Sequence, residues 1–238
     1  MRKTLCPLLA AIMILPVALT SCALSRNSEK DFSEDECRYT LDIVLRQATD
    51  SAIPALFMSL NNYDVSMVPS EFAFLDELRE TIPGMDRLLD SWEEDVISFS
   101  LPYYDEFSTR LESLVDGIVF EDPVGLVRTG VSSLSEYFQK KYGELLSAGM
   151  RERLVGLDVS EWTKVAVQYN SWASSMDKLY GQDNPRIDVE MPYDEFITIL
   201  SRHLVDVYIR TFRSYEVLIR TTPNPDMDPV VARVLDLE

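Results

Sequence analysis

FEDPVGLVRTGVSSLSEYFQKKY, the stretch from Phe120 to Tyr142, holds two helix starts back to back. Asp122 followed by Pro123 offers a side-chain acceptor for orphan backbone N–H groups and a residue already set at helical φ, so a short helix begins there. Gly130 ends it. Ser133 with Glu136 three residues later fits a capping box, and Leu134, Phe138, Tyr142 and Leu145 behind it share one helical face. Two helices therefore meet at a tight corner. The small residues of VGLVRTGVSS invite comparison with a phosphate-cradling loop, but there is no GxxxxGK[ST] pattern and no buried strand ahead of the corner. Apolar helical runs extend on both sides and decide the fold class: all-α, a single-domain bundle of about seven or eight helices, the long ones kinked by proline.

Upstream, Met85, Leu88, Trp92, Val96, Phe99, Tyr103, Phe107, Leu111, Leu114 and Ile118 recur at steps of three and four, the helical period. The phase carries through Pro102, which predicts one long helix kinked there. Asp90, Glu93, Glu94, Asp105 and Glu112 fall opposite the apolar stripe. They read as a solvated face rather than as an acid–base pair or a hard-cation site. Further back, Leu41, Val44, Leu45, Ala48, Ala52 and Leu56 predict a helix from about Asp35 to Asn61, kinked or split at Pro54. Ser70 is placed to cap a short helix carrying Phe72, Phe74, Leu75 and Leu78, which closes before Pro83 and Gly84.

Downstream, the corner's second helix reaches Leu154, Gly156 and Asp158 mark a turn, and Ser160 caps a helix with Trp162, Val165, Tyr169, Trp172, Met176 and Leu179 on one side. The segment from Gly181 to Met191 is polar, and its carboxylates do not fit a calcium-loop spacing. Pro192 opens the last long helix, whose broad apolar face (Phe196, Ile197, Leu200, Leu204, Val207, Tyr208, Tyr215, Leu218) predicts a central position. Asp206 with Arg210 and Glu216 with Arg220 stand four residues apart in the favourable order, each contributing about 0.2–0.5 kcal/mol on an exposed helix. Thr222-Pro223-Asn224-Pro225 breaks this helix, and Asp228-Pro229 starts a short final one.

The N-terminus has a different character. Arg2 and Lys3 precede an apolar run from Leu5 to Leu19 interrupted by Pro7 and Pro16, short for a membrane span and typical of a secretory signal. Leu19-Thr20-Ser21-Cys22 resembles a bacterial lipobox, in which the cysteine takes the lipid anchor with its palmitate-like acyl chains. The organisation expected is a lipoprotein signal peptide over 1–21, a flexible tether over 22–36 rich in Ser, Asn, Glu, Lys and Asp, and a helical domain over 37–238. Cys6 leaves with the signal and Cys22 is acylated, so Cys37 is left with no intramolecular disulfide partner. The whole chain carries a formal charge of -18, and loss of Arg2 and Lys3 makes the remainder more acidic still. Such a surface repels nucleic acid and anionic headgroups, so the membrane is met through the lipid on Cys22, facing the periplasm or the cell exterior.

Candidate sites are few. Trp92, Trp162, Tyr169 and Trp172 are large aromatics at helical spacing and are the candidates to line an apolar groove for a lipid or another apolar ligand, the alternative being ordinary core packing. His203, the one histidine, lies three residues before Asp206, the nearest approach in the chain to a general base with its orienter, yet no nucleophile is evident beside it. No metal ligand set stands out, and no cofactor is expected.

FEDPVGLVRTG leading into EYFQKK, the Gln168-Tyr169-Asn170 of the next helix, and the Ile219-Arg220 pair before a proline turn together resemble an exported bacterial family, domain of unknown function 4197. The resemblance covers roughly Leu41 to the C-terminus. It implies a helical, signal-bearing protein and carries no catalytic residue with it. The acidity and the Gly181–Met191 segment depart from the family pattern. The function expected is a non-enzymatic interaction or scaffold module of the envelope with a protein partner, followed by an apolar-ligand carrier and then by a hydrolase using His203.

Overall fold

The computed structural model describes residues 32–62 and 64–237. The signal peptide, Cys22 and most of the expected tether lie outside the described residues. Among the described residues all regular structure is helical, with no strand, in the arrangement of a multi-helix bundle.

α1 (Glu34–Asn61) opens with a full capping box: the Glu36 N–H donates to Ser33 Oγ at 3.2 Å and the Ser33 N–H donates to Glu36 Oε2 at 2.9 Å. The last three residues expected in the tether, Glu34 to Glu36, thus form the first helical turn, where their negative charge suits the helix dipole. Pro54 does not split α1, which continues to Asn61. After a 3-10 turn (Ser70–Phe72) and the short α2 (Phe74–Glu77), α3 runs Met85–Ser100 and α4 runs Tyr104–Asp116. Between them the expected kink is one 3-10 turn, Leu101–Tyr103, whose second residue is Pro102. A proline there needs no N–H partner, so the apolar phase survives while the α-helix stops and restarts.

At the corner, α5 (Pro123–Thr129) is capped as expected: Asp122 Oδ1 accepts from the Gly125 N–H at 2.8 Å. A Cβ on Gly125 would lie 2.0 Å from the same carboxylate, so the cap requires glycine at this point. Two other expected caps shift by one residue. α6 is Ser133–Leu154 and α7 is Ser160–Tyr180, so Ser133 and Ser160 are first helical residues, not caps. The Ser160 N–H is taken by Asp158 Oδ1 at 2.9 Å, and Ser132 Oγ, not Ser133, reaches Glu136. Ser70 caps nothing either, because Pro69 holds the cap position of its 3-10 turn.

α8 (Tyr193–Thr221) is the central helix, packed on α6 and α1, with residues buried from Phe196 to Arg220; α9 is Pro229–Val234. α3 lies against α7, and Trp92, Trp162 and Phe196 meet with ring centroids 5.1–5.6 Å apart, joining both helices to α8. The opposite face of α3 is not wholly solvated. Glu93 is buried, accepting from Arg79 at 2.8 Å and from the Met67 N–H at 3.3 Å, while Trp92 Nε1 donates to the Met67 carbonyl at 3.0 Å. Those bonds tie the irregular 64–69 segment to α3, and Glu93 is buried because it has that work.

Candidate functional site

The four aromatics expected to line a groove do not form one. Trp92, Trp162 and Tyr169 are core residues, and Trp172 is half-buried against Tyr169 at 6.1 Å. The void bordered by Trp162, Ala166, Met191 and Phe196 is about 30 Å³, room for a water and not for an acyl chain. Packing of large aromatics across three helices uses the stripe up.

Gln168, Asn170 and Arg220, singled out in the sequence, are also occupied, in joints between helices. Glu216 and Arg220 of α8 form an ion pair at 2.9 Å with both side chains almost wholly buried. The Glu216 carboxylate accepts from the Leu134 N–H at 2.9 Å and the Ser135 N–H at 2.7 Å, which caps α6 from outside. Arg220 donates to Ser133 Oγ at 2.8 Å and to the Val127 and Leu126 carbonyls at 2.9 and 3.2 Å, which closes the last turn of α5. One pair on α8 therefore caps both helices of the corner, a far larger role than an exposed i,i+4 pair. Gln168 donates to the Pro83 carbonyl at 2.9 Å. Asn170 exchanges two bonds with the backbone of Ile187, at 2.7 and 3.0 Å, which fastens the 181–191 segment to α7.

Room for a ligand exists elsewhere. An open cleft of about 570 Å³ lies between α1, the 64–76 segment and α8, bordered by Asp64, Ser70, His203, Arg210, Ser214 and Tyr215 among others. That volume is within the range of small-molecule and peptide-segment sites. His203 is buried at its edge, and its geometry fixes its tautomer. Nε2 lies 2.9 Å from the Ser66 carbonyl oxygen, which only accepts, so Nε2 carries the proton. Nδ1, 3.3 Å from Ser70 Oγ, is then an acceptor for the serine hydroxyl. Burial pushes the imidazole below its ordinary pKa, against the opposing effect of the Ser66 carbonyl, and Arg210 adds to the lowering. The ring is neutral at pH 7.

The expected His203–Asp206 pair is absent, since Asp206 accepts from Gln139 at 3.1 Å. Nor does Arg210 pair with Asp206; among the described residues no carboxylate forms a salt bridge with Arg210, and its side chain is exposed at the cleft. Helical spacing pointed to the wrong partner because a side chain three residues away is reachable but not obliged to turn inward. Ser70, 133 positions earlier, has no local signal linking it to His203.

Among the described residues there is no group of three or more His, Cys, Asp or Glu side chains able to hold a metal ion, and no helix is long and apolar enough to cross a membrane. Cys37 is buried, and burial pushes its thiol up, away from nucleophilic use. No protein-family model, curated protein or solved structure matches this chain. The reading of the cleft therefore rests on its geometry.

Proposed function

We propose that this chain is a lipid-anchored protein of a bacterial envelope, akin to domain of unknown function 4197, whose helical domain is an interaction module. In this reading Cys22 bears the lipid, residues up to about 32 act as the tether, and the domain reaches a protein partner on the exported side of the membrane. The observation that carries the site assignment is the cleft beside α8: about 570 Å³, open, and bordered by the exposed guanidinium of Arg210, which pairs with no carboxylate among the described residues. An extended or turn-forming segment of an envelope protein suits such a cleft, with a carboxylate of the segment meeting Arg210. Nucleic acid is disfavoured by the charge of -18. The residues of the family resemblance support the fold and leave the cleft to decide the partner.

A photo-crosslinking amino acid placed at Ser214, exposed at the cleft, tests this in cells, with Val167 on the outer face of α7 as the control position. One discrete adduct from position 214 and none from 167 is the expected result. Equal adducts from both positions, or none from 214, would count against the cleft. The anchor is tested separately by Cys22→Ser, which should move the protein from the membrane to the soluble fraction of the envelope.

A further inference from the structure

Beyond the holding role, and resting on the same cleft being the working surface, we infer that Ser70 is an activated nucleophile, with His203 its general base, and that it takes the acyl group of a carboxylic ester bound in the cleft. The arrangement has the parts such a reaction needs: a hydroxyl within reach of an unprotonated ring nitrogen, and a third group that fixes the ring. The separation of 3.3 Å between Ser70 Oγ and Nδ1 is long but within the looseness of an unliganded site. The Ser66 carbonyl, 2.9 Å from Nε2, holds the tautomer that leaves Nδ1 free to accept. Ser70 is exposed while His203 is buried, so the nucleophile meets solvent and the base does not. Neither residue is committed elsewhere: Ser70 caps no helix and His203 makes no pair with Asp206.

Ser70 Oγ adds to the ester carbonyl carbon as its proton passes to Nδ1. The carbon–oxygen bond to the leaving alkoxide then breaks, and that oxygen takes the proton back from Nδ1. Water repeats the sequence on the acyl-serine, releasing the acid and restoring Ser70. Arg210, bordering the same cleft with no carboxylate partner among the described residues, is the positive charge available to the oxyanion or to an acidic group of the acyl chain. An ester is favoured over an amide, because a neutral backbone carbonyl stabilises the imidazolium less than a buried carboxylate does, so a good leaving group is required.

The test uses the full-length chain in mild detergent with a biotin-linked fluorophosphonate and with p-nitrophenyl acetate. One phosphonyl group per chain, mapped by mass spectrometry to the peptide containing Ser70, is expected, together with nitrophenolate release. Ser70→Ala, at an exposed position, abolishes both. His203→Gln slows labelling by about 100-fold or more, the contribution of a general base. If that variant does not fold, the wild-type pH profile replaces it. Labelling then rises with pH to a plateau, with the midpoint that the single imidazole shows by NMR, in the field of Arg210, Asp206 and Glu71. Labelling of Ser70 no faster than of other exposed serines, or a profile that ignores the imidazole midpoint, overturns the inference. The crosslinks from Ser214 stand or fall independently of it.

Discussion

Removing Arg220 tests whether the corner is held by the buried pair on α8. In Arg220→Ala the Glu216 carboxylate stays buried and keeps only the Leu134 and Ser135 N–H groups, while the Val127 carbonyl loses its donor. Breaking a buried pair from one side costs about 3–5 kcal/mol, a large share of the roughly 5–15 kcal/mol that holds a domain folded. At about 2–4 °C per kcal/mol for a chain of this size, Tm should fall by roughly 6–20 °C. The informative variant is the double one, Glu216→Leu with Arg220→Met. A buried pair that serves only itself is often replaced by apolar residues at no loss. Here the Leu134 and Ser135 N–H groups and the Val127 carbonyl would still be left without partners, while Leu126 keeps the Ser133 hydroxyl. At about 1 kcal/mol or more each, those three groups keep the double variant at least ~3 kcal/mol below the wild type. Urea unfolding followed through tryptophan fluorescence compares both variants with the wild type. A double variant within ~1 kcal/mol of wild type would refute the capping argument.

Asn170→Ala removes both bonds to Ile187 and should accelerate limited proteolysis within 181–191 while moving the global unfolding midpoint much less, since the segment opens locally. Trp162→Ala should cost about 3–5 kcal/mol, because a core indole leaves a cavity between α3, α7 and α8; a loss under ~1 kcal/mol would reopen the groove reading. Acidification from pH 8 to 5.5 has its own signature. A histidine held below its ordinary value of about 6.5 binds fewer protons folded than unfolded. Its contribution is therefore full above that value and is lost as pH falls from there toward the lowered folded value. The lowered carboxyls of Glu36, Asp177 and Asp228 lose theirs only further down, below the ordinary carboxylate values. NMR of the single imidazole reads the shift directly, and a midpoint at or above the ordinary value would remove the neutral-base argument.

The sequence by itself determined whatever depends on neighbours along the chain. Apolar steps of three and four placed the long helices, and Asp122-Pro123 and Asp228-Pro229 placed the starts of α5 and α9, because a cap is a contact within three residues. The breadth of the apolar face on α8 announced its central position. Spacing came close at α6 and α7, where the serine expected at the cap is the first helical residue, one position on. Tertiary structure alone decided which polar groups are buried and with whom. Glu216 meets α6 across 81 and 82 positions, Glu93 meets Met67 across 26, and His203 meets Ser66 and Ser70 across 137 and 133. Local spacing proposed Asp206 for His203 and solvent for Glu93. The folded chain overrode both, because a buried polar group takes the partner that packing brings within about 3 Å and not the one nearest in sequence.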